Sequence, residues 1–251
     1  MFLTHTLNLL YDATLALIYP QPCAVCTGSI ESRIHGIACA GCWHEMRIFT
    51  GEDTICWKCG ALSTGFISAE RRDQVRCRRC DKELFTAARS CGIYEGALRA
   101  SVLALKHQPH ISPHLSALLV QNLRRAPLCK ATRIVPVPLH PDRERARGFN
   151  QATVIGRELS RVTELPMDEV SLVRKSQSRR YRAGMDMKGR RDTVENAFEV
   201  RYSMLISGER ILLVDDVFTT GATVSSCAGP LVAAGALDVF VLTIARASNQ
   251  V

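Results

Sequence analysis

No stretch of the 251-residue sequence approaches the roughly 20 consecutive apolar residues that a membrane-spanning helix requires. The apolar stretch at residues 2–19 lacks the basic residues that begin a signal peptide, and Asp12 interrupts it. Its apolar residues recur at roughly helical spacing, which predicts an amphipathic helix over residues 1–20 that packs on the body of the protein. We therefore expect a soluble, cytoplasmic protein without membrane insertion.

The sequence also lacks the two common glycine-rich phosphate-binding fingerprints. It contains neither the G-x-x-x-x-G-K-[ST] loop nor the G-x-G-x-x-G dinucleotide motif. Their absence argues against ATP hydrolysis and NAD chemistry. Internal repeats and low-complexity linkers are missing too, apart from duplicated cysteine pairs.

The overall composition indicates a folded protein with an anionic partner. Apolar residues make up 47% of the chain, which is long enough for one sizeable core and a smaller module. The formal net charge of +8 favours a polyanion, either a small phosphorylated ligand or nucleic acid. Charge alone does not choose between these two partners.

The texture of the sequence changes between residues 83 and 90. Before this point the chain is rich in Cys, Gly and Arg, as in a metal-stapled module with little core of its own. After it, helical patterns over residues 96–106, 114–125, 150–162 and 222–234 alternate with strand patterns over residues 132–137, 210–214 and 238–244. We predict a cysteine-rich module over residues 21–88 and an α/β domain with a mainly parallel sheet over residues 89–251.

Eight of the eleven cysteines form four C-x-x-C pairs. The pairs are Cys23 with Cys26, Cys39 with Cys42, Cys56 with Cys59, and Cys77 with Cys80. Two sets of four thiolates suit two tetrahedral, structural Zn²⁺ ions in a reducing cytosol, because no coordination position stays open for chemistry. Sequential and interleaved combinations of the pairs fit the spacing equally, and disulfides or metal-free thiols are the alternatives.

The most informative segment is an apolar strand pattern that ends in two carboxylates, Asp215 and Asp216. A small hydroxyl-rich turn follows, made of Thr219, Thr220, Gly221, Ala222 and Thr223. Strand ends form the ligand crevice of parallel α/β sheets, where adjacent carboxylates accept bonds from ribose hydroxyls and hold hydrated Mg²⁺. A helix begins at this turn, and its free N–H groups favour binding of a phosphate. The alternative, that these residues only cap the helix, explains one Asp and one Thr but not the whole segment from Asp215 to Thr223.

This string resembles the phosphoribosyl-diphosphate motif of type I phosphoribosyltransferases, and the whole chain resembles the ComF family of competence-associated proteins. The likeness runs from about Cys23 to Arg246 and rests also on the cysteine pairs and on residues 135–141, 147–152 and 196–198. It implies a type I phosphoribosyltransferase-like parallel sheet flanked by helices behind a double zinc ribbon.

The resemblance implies roles for two further segments. The turn after residues 132–137 is similar to a pyrophosphate-gripping loop, which assigns ligand contacts to Leu139, His140, Arg143 and Arg147; charge pattern alone makes residues 142–147 a solvated run. Residues 174–191 resemble the flexible loop that closes over the ligand, in which Gln177 and Arg191 match the family pattern. A plain surface loop is the alternative.

The expected function is binding of phosphoribosyl diphosphate with Mg²⁺ and transfer of the phosphoribosyl group to an acceptor that the sequence does not identify, in connection with DNA uptake. The alternative is a non-enzymatic ligand sensor or single-stranded DNA-handling factor. DNA contact would use the arginine cluster at Arg71, Arg72, Arg76, Arg78 and Arg79, which contains few aromatic residues for base stacking. A DNA-uptake protein docking on Trp43 and Trp57 is a third partner, although both fit equally well as the module's small core.

Overall fold

The computed structural model of the chain describes residues 14, 18–53, 55–63, 67–175 and 197–248. Most of the predicted N-terminal helix lies outside these residues, and so do Gln177 and Arg191. Within the described ranges, no helix is both long and apolar enough to cross a membrane.

A four-stranded, fully parallel sheet forms the centre of the molecule. Its strands are β1 (Ala87–Ile93), β2 (Arg133–Pro136), β5 (Arg210–Phe218) and β6 (Asp238–Arg246), in the order β1-β6-β5-β2. A short antiparallel pair, β3 (Leu172–Arg174) and β4 (Phe198–Val200), lies beside it. The β5 and β6 strands are the longest and occupy the two inner positions, which explains their almost uninterrupted apolar sequence.

Six α-helices accompany these strands in the described part of the chain. They are α1 (Ala40–His44), α2 (Gly96–Ala104), α3 (Pro113–Leu123), α4 (Pro141–Arg147), α5 (Gln151–Thr163) and α6 (Ala222–Ala233). Helix α3 begins where the Ser112 side chain accepts a bond from the Leu115 N–H and Pro113 takes the first helical position. Helix α5 begins in the same manner at Asn150, whose side chain accepts from the Ala152 N–H.

Two apolar cores cover the two faces of the sheet. The first contains Leu212 and Leu242 together with helices α2, α3 and α5, and the second contains Leu213 and Val241 together with helix α6. Each core also contains cysteines of the N-terminal module: Cys23, Cys39 and Cys42 in the first, and Cys56, Cys59 and Cys80 in the second. The cysteine-rich segment therefore completes the cores of the sheet domain.

Both edges of the sheet are covered by irregular chain. Along β1, the Phe49 N–H donates to the Cys91 carbonyl and the Ala88 N–H donates to the Lys58 carbonyl. Along β2, the Ile134 N–H donates to Pro166 and its carbonyl accepts from Asp168. The edges consequently offer few unpaired backbone groups to other chains.

The predicted architecture, a parallel sheet flanked by helices behind a cysteine-rich module, is confirmed. Residues 142–147 form helix α4, which no sequence pattern predicted, and most of its side chains are exposed, in keeping with a solvated charge run. His140 caps this helix by accepting from the Asp142 N–H, and Gly148 ends it in the left-handed conformation. Strand β1 was not predicted from the sequence, and it crosses the predicted boundary between residues 88 and 89.

Candidate functional site

The eight paired cysteines form two separate tetrads. The first tetrad is Cys23, Cys26, Cys39 and Cys42, and the second is Cys56, Cys59, Cys77 and Cys80. Within each tetrad the four sulfur atoms lie within 4.8 Å of one another. This is the sequential pairing, and the interleaved arrangement is excluded.

The geometry of both tetrads fits a tetrahedral zinc ion. Sulfur pairs are separated by 3.8 Å for Cys23 and Cys42, 3.7 Å for Cys26 and Cys39, and 3.5 Å for both Cys56 with Cys80 and Cys59 with Cys77. A tetrahedron with Zn–S bonds of about 2.3 Å has sulfur edges of about 3.8 Å, whereas a disulfide has a bond of about 2.0 Å. The thiols are therefore spaced as metal ligands, and none forms a disulfide.

Backbone N–H groups stabilise a thiolate at one cysteine of each tetrad, Cys23 in the first and Cys56 in the second. The N–H groups of Val25 and Cys39 point to the Cys23 sulfur at 3.4 and 3.3 Å, and the Cys77 N–H points to the Cys56 sulfur at 3.3 Å. The side-chain hydrogen bond from Cys59 lowers the pKa of Cys56 to about 4 and raises the pKa of Cys59 itself. A metal that binds thiolates would take over the charge that these groups stabilise.

A cavity of about 490 Å³ lies at the carboxyl ends of β2 and β5. It brings together seven of the residues that the sequence nominated: Asp215, Asp216, Thr219, Thr223, Leu139, Arg143 and Arg147. His140, Thr220, Gly221 and Ala222 lie next to these residues in the chain but do not line the cavity. Carboxylates, hydroxyls and guanidinium groups thus surround one space that is large enough for a small phosphorylated molecule.

Asp215 and Asp216 stand at the end of β5, after four fully buried apolar residues. The Asp216 N–H donates to a carboxylate oxygen of Asp215 over 2.9 Å. Burial of the side chain and the adjacent charge of Asp216 raise the pKa of Asp215 to about 7, against the opposing effect of that N–H. Such a carboxylate gains stability from a cation or from hydroxyl donors, and oxygen ligands of this type suit Mg²⁺.

Residues 219–223, which we call the phosphate loop, turn the chain from β5 into helix α6. Gly221 has φ +89°, and a Cβ atom at this position would lie 3.0 Å from the Phe218 ring. The Thr220 hydroxyl accepts from the Ala222 N–H at 3.3 Å, which tightens the turn. The turn brings together the first N–H groups of α6 and the side chains of Thr219 and Thr223. A phosphate bound here would be stabilised by the N-terminus of the helix.

Helix α4 supplies the cationic wall of the cavity. Arg143 and Arg147 are four residues apart, so they lie on one face of the helix, and both line the cavity. Arg145 lies on another face and pairs with Asp142 in solvent. His140 turns its imidazole Nδ1 toward the Asp142 N–H at 3.2 Å, which makes it a helix cap.

Five polar lining residues were not nominated from the sequence as contacts, although two of them belong to the segment that carried the resemblance. They are Tyr94, Lys106, Asn150, Gln151 and Arg174. Asn150 is buried and donates to the Val137 carbonyl at 2.9 Å, which fixes β2 to α5. Gln151 is also buried, and its amide nitrogen has no hydrogen-bond partner within the described ranges. The unpaired, buried amide of Gln151 marks it as a candidate ligand contact, and this feature can be recognised only from the folded structure.

Comparisons with known proteins agree with the resemblance that the motifs indicated. The chain is 28% identical over 234 residues to Competence protein F of Haemophilus influenzae, which covers 90% of this chain and 96% of that protein. It is 29% identical over 242 residues to the DNA utilization protein YhgH of Escherichia coli, covering 92% and 99%. Competence protein ComFC of Bacillus subtilis is 27% identical over 211 residues, covering 83% of each chain. No family model matches the chain.

Among solved structures, a glutamine phosphoribosylpyrophosphate amidotransferase from B. subtilis is similar over 56% of this chain and 30% of its own, with 18% identity and a TM-score of 0.38. The asparagine mutant of a phosphoribosyltransferase, solved to study an invariant aspartic acid, is similar over 56% and 63%, with 13% identity and a TM-score of 0.31. Likenesses at these scores are too loose to assign a ligand. The chain is thus a homologue of competence-associated proteins with a parallel α/β fold.

Proposed function

We propose that this homologue of competence proteins binds phosphoribosyl diphosphate with Mg²⁺ in the cavity at the ends of β2 and β5. The proposal rests on one observation: Asp215 and Asp216 line the same cavity as Thr219 and Thr223 of the phosphate loop and as Arg143 and Arg147. The ligand has a phosphate and a pyrophosphate separated by a ribose with two hydroxyls. The cavity offers anion sites at both ends and hydrogen-bond acceptors between them.

In the proposed complex, each part of the ligand meets groups that match its charge. The 5′-phosphate lies at the phosphate loop, where N–H groups and threonine hydroxyls donate to its oxygens. Asp215 and Asp216 accept from the ribose hydroxyls. The pyrophosphate lies against the turn at Leu139 and His140, within reach of Arg143 and Arg147, whose guanidinium groups bind phosphate oxygens in pairs.

We further propose that the bound ligand transfers its phosphoribosyl group. An acceptor attacks C1′ while the bond from C1′ to the pyrophosphate oxygen breaks, and pyrophosphate leaves with the bonding electrons. Mg²⁺ bound to the diphosphate would neutralise part of the charge that accumulates there. The chain's own contribution is to position the ribose through Asp215 and Asp216, to stabilise its positive charge with these carboxylates, and to hold the leaving group with Arg143 and Arg147.

The tetrads have a separate, structural role in this proposal. Each would hold one Zn²⁺ with four cysteine sulfurs, which leaves no open position for a substrate. The thiolates require the reducing conditions of the cytoplasm, where we place the protein. The names of the relatives support a connection to DNA uptake. We also propose that the chain is divided into an N-terminal helix over residues 1–20, a zinc module over residues 21–88 and a transferase domain over residues 89–251.

A specific observation also favours the non-enzymatic alternative, in which the chain handles single-stranded DNA. The side chains of Arg71, Arg76, Arg78 and Arg79 are exposed around the second tetrad. They are placed to contact backbone phosphates without sequence preference. Trp43 is buried against His114 with its ring nitrogen bonded to the His35 carbonyl, so it belongs to the core of the module.

Calorimetric titration with phosphoribosyl diphosphate and Mg²⁺ tests the proposal. We expect saturable binding by the wild type and none by the Asp215→Asn, Asp216→Asn double variant. A matched control is Glu199→Gln, because Glu199 is a carboxylate on β4 outside the cavity lining. If folded, zinc-loaded wild type shows no heat of binding while single-stranded DNA does bind, the alternative function replaces the proposed one.

A further inference from the structure

The second tetrad is bound to the sheet through three consecutive backbone carbonyls. Arg89 of β1 donates to the Trp57 carbonyl at 2.8 Å, the Ala88 N–H donates to Lys58 at 2.6 Å, and Arg246 of β6 donates to Cys59 at 2.5 Å. Gly60 closes this turn so tightly that a Cβ there would lie 2.6 Å from the Ala88 carbonyl. The cysteine turn at residues 56–60 therefore cannot shift without moving the sheet or breaking these bonds.

Arg246 extends this connection to the phosphate loop. Its guanidinium lies over the Phe218 ring at 4.7 Å from the centroid, and the Phe218 carbonyl accepts from the Ala247 N–H at 2.9 Å. The same ring is the contact that a Cβ at Gly221 would meet at 3.0 Å. A small cavity of about 240 Å³ also lies between the second tetrad and Thr219 and Thr220. One buried side chain thus contacts both the cysteine turn and the residue that supports the loop.

The position of Arg246 beside the second tetrad explains why a positive charge is buried here. The Arg246 side chain is buried, and its bond to the Cys59 carbonyl places the guanidinium beside the second tetrad. Four thiolates around a divalent ion leave a net negative centre, which a buried guanidinium offsets. Arg89 stands in a similar relation to Cys56 and stacks on Trp57 at 4.9 Å, but Trp57 does not belong to the phosphate loop.

The first tetrad has contacts of a different kind. Its neighbours are Trp43 and, through Trp43, His114 at the start of α3. Gly36, close to this tetrad in the chain, packs on Ser112. These contacts lead to helix α3 and the opposite face of the sheet, away from the phosphate loop.

We infer that Arg246 is a positioning residue that couples the second tetrad to the phosphate loop, so that metal bound at this tetrad sets the order of the loop and its affinity for a phosphate. The inference concerns the phosphate end of the proposed site and rests on the proposed function for the identity of the ligand. Loss of the second metal would loosen the cysteine turn, and Arg246 would transmit this to Phe218 and Gly221.

The test compares Arg246→Met, which replaces the apolar stem of the side chain but lacks the guanidinium, with Arg89→Met, which removes the other buried guanidinium from the same cysteine turn. Amide hydrogen exchange of residues 218–223 is measured together with zinc content and with the Kd for phosphoribosyl diphosphate and Mg²⁺. We expect Arg246→Met to speed exchange in the loop and weaken binding by about tenfold or more, with zinc retained, and Arg89→Met to leave both within about threefold of wild type. Protection of residues 211–214 in β5 shows that each variant is folded.

A second variant, Cys77→Ser, removes one ligand of the second tetrad and tests the metal itself. Faster exchange in residues 218–223 on loss of one zinc per chain supports the coupling. Unchanged exchange in this segment, either in folded Arg246→Met or in zinc-depleted Cys77→Ser, overturns it. If the wild type does not bind phosphoribosyl diphosphate, the proposed function fails, while the exchange measurements still decide whether the coupling exists.

Discussion

Among single residues, Asp215 is held in an environment that opposes its charge. Its pKa rises from the ordinary value of 3.8 to about 7 because of burial and the adjacent Asp216. Below pH 3.8 the carboxyl is neutral whether the chain is folded or unfolded. Between this pH and about 7 only the unfolded chain is ionised, so folding stability falls as the pH rises through that window.

Asp215→Asn should therefore stabilise the protein while it abolishes ligand binding. The shift corresponds to roughly 4 kcal/mol at pH 8, of which we expect about half because Asp215, although enclosed by the fold, lines the cavity and keeps some contact with solvent. This predicts a Tm about 5 °C above wild type at pH 8 and a much smaller gain near pH 4, measured by thermal unfolding across this range. A gain that does not change with pH would contradict the assignment of the effect to the carboxylate charge.

Gly221 is a second residue whose substitution should affect binding more than stability. Its positive φ costs any other residue about 1 kcal/mol, and a Cβ would press on the Phe218 ring. Gly221→Ala should lower the Tm by only about 3 °C but weaken phosphate binding by more than tenfold, because the turn must open to accept the methyl group. Gly208→Ala is a control for φ alone, since Gly208 also has a positive φ and open space around it. Equal effects of both substitutions on binding would show that the phosphate loop is not involved.

The sequence indicated the charged residues of the local motifs but not the residues that only the fold brings to the cavity. Asp215 and Arg147 belong to local motifs, so their role follows from neighbouring residues. Tyr94, directly after β1, reaches the cavity from a part of the chain that no sequence pattern connects to β5, whereas Arg174 begins the segment that the resemblance had placed over the ligand. Gln151 became a candidate only when burial left its amide unpaired.

Among the elements, α4 decides which arginines face the ligand. Arg143 and Arg147 line the cavity, whereas Arg145 of the same helix faces solvent. We predict that Arg147→Met weakens binding of phosphoribosyl diphosphate by about tenfold, the value of a charge-assisted hydrogen bond, as measured by calorimetry. Arg145→Met removes the same positive charge from the helix and should nevertheless bind as wild type does. Equal losses would mean that only the overall charge of the helix matters.

The strands and helices differ in how well the sequence predicts them. The predicted strands at residues 210–214 and 238–244 and the helix at residues 222–234 correspond to β5, β6 and α6. Strand β1 escaped detection because its sequence, with two alanines, Arg89 and Gly92, has little intrinsic preference for extended structure. Burial against β6 and the cysteine module fixes this strand. Local preference therefore predicts the inner strands and the edge strand β2, whereas tertiary contacts determine the other edge strand, β1.

For the whole molecule, the two tetrads complete opposite cores of the sheet. The spacing of the cysteines left sequential and interleaved pairing open, since the same residues satisfy both. The fold decides for sequential pairing because the sulfur atoms of the first four cysteines lie together and those of the second four lie together. Three cysteines of each tetrad are buried in a core, a different core for each tetrad. A zinc ion in each tetrad would therefore stabilise the sheet domain as well as the module.

This arrangement predicts a large effect of zinc removal on the whole protein. A strong chelator should lower the Tm by about 10 °C or more, because metal binding at structural sites contributes directly to folding. Zinc content measured on the same samples should fall from two ions per chain. A protein that lost both ions without a change in Tm would show that the tetrads do not support the cores.

The central claim is that the ends of β2 and β5 form a phosphoribosyl-diphosphate site. Diffraction from crystals grown with this ligand and Mg²⁺ tests it most directly. We expect difference density for a phosphate at residues 219–223, ribose hydroxyls within hydrogen-bonding distance of Asp215 and Asp216, and pyrophosphate beside Arg143 and Arg147. Ligand density elsewhere on the molecule, or an empty cavity at saturating ligand, would contradict it.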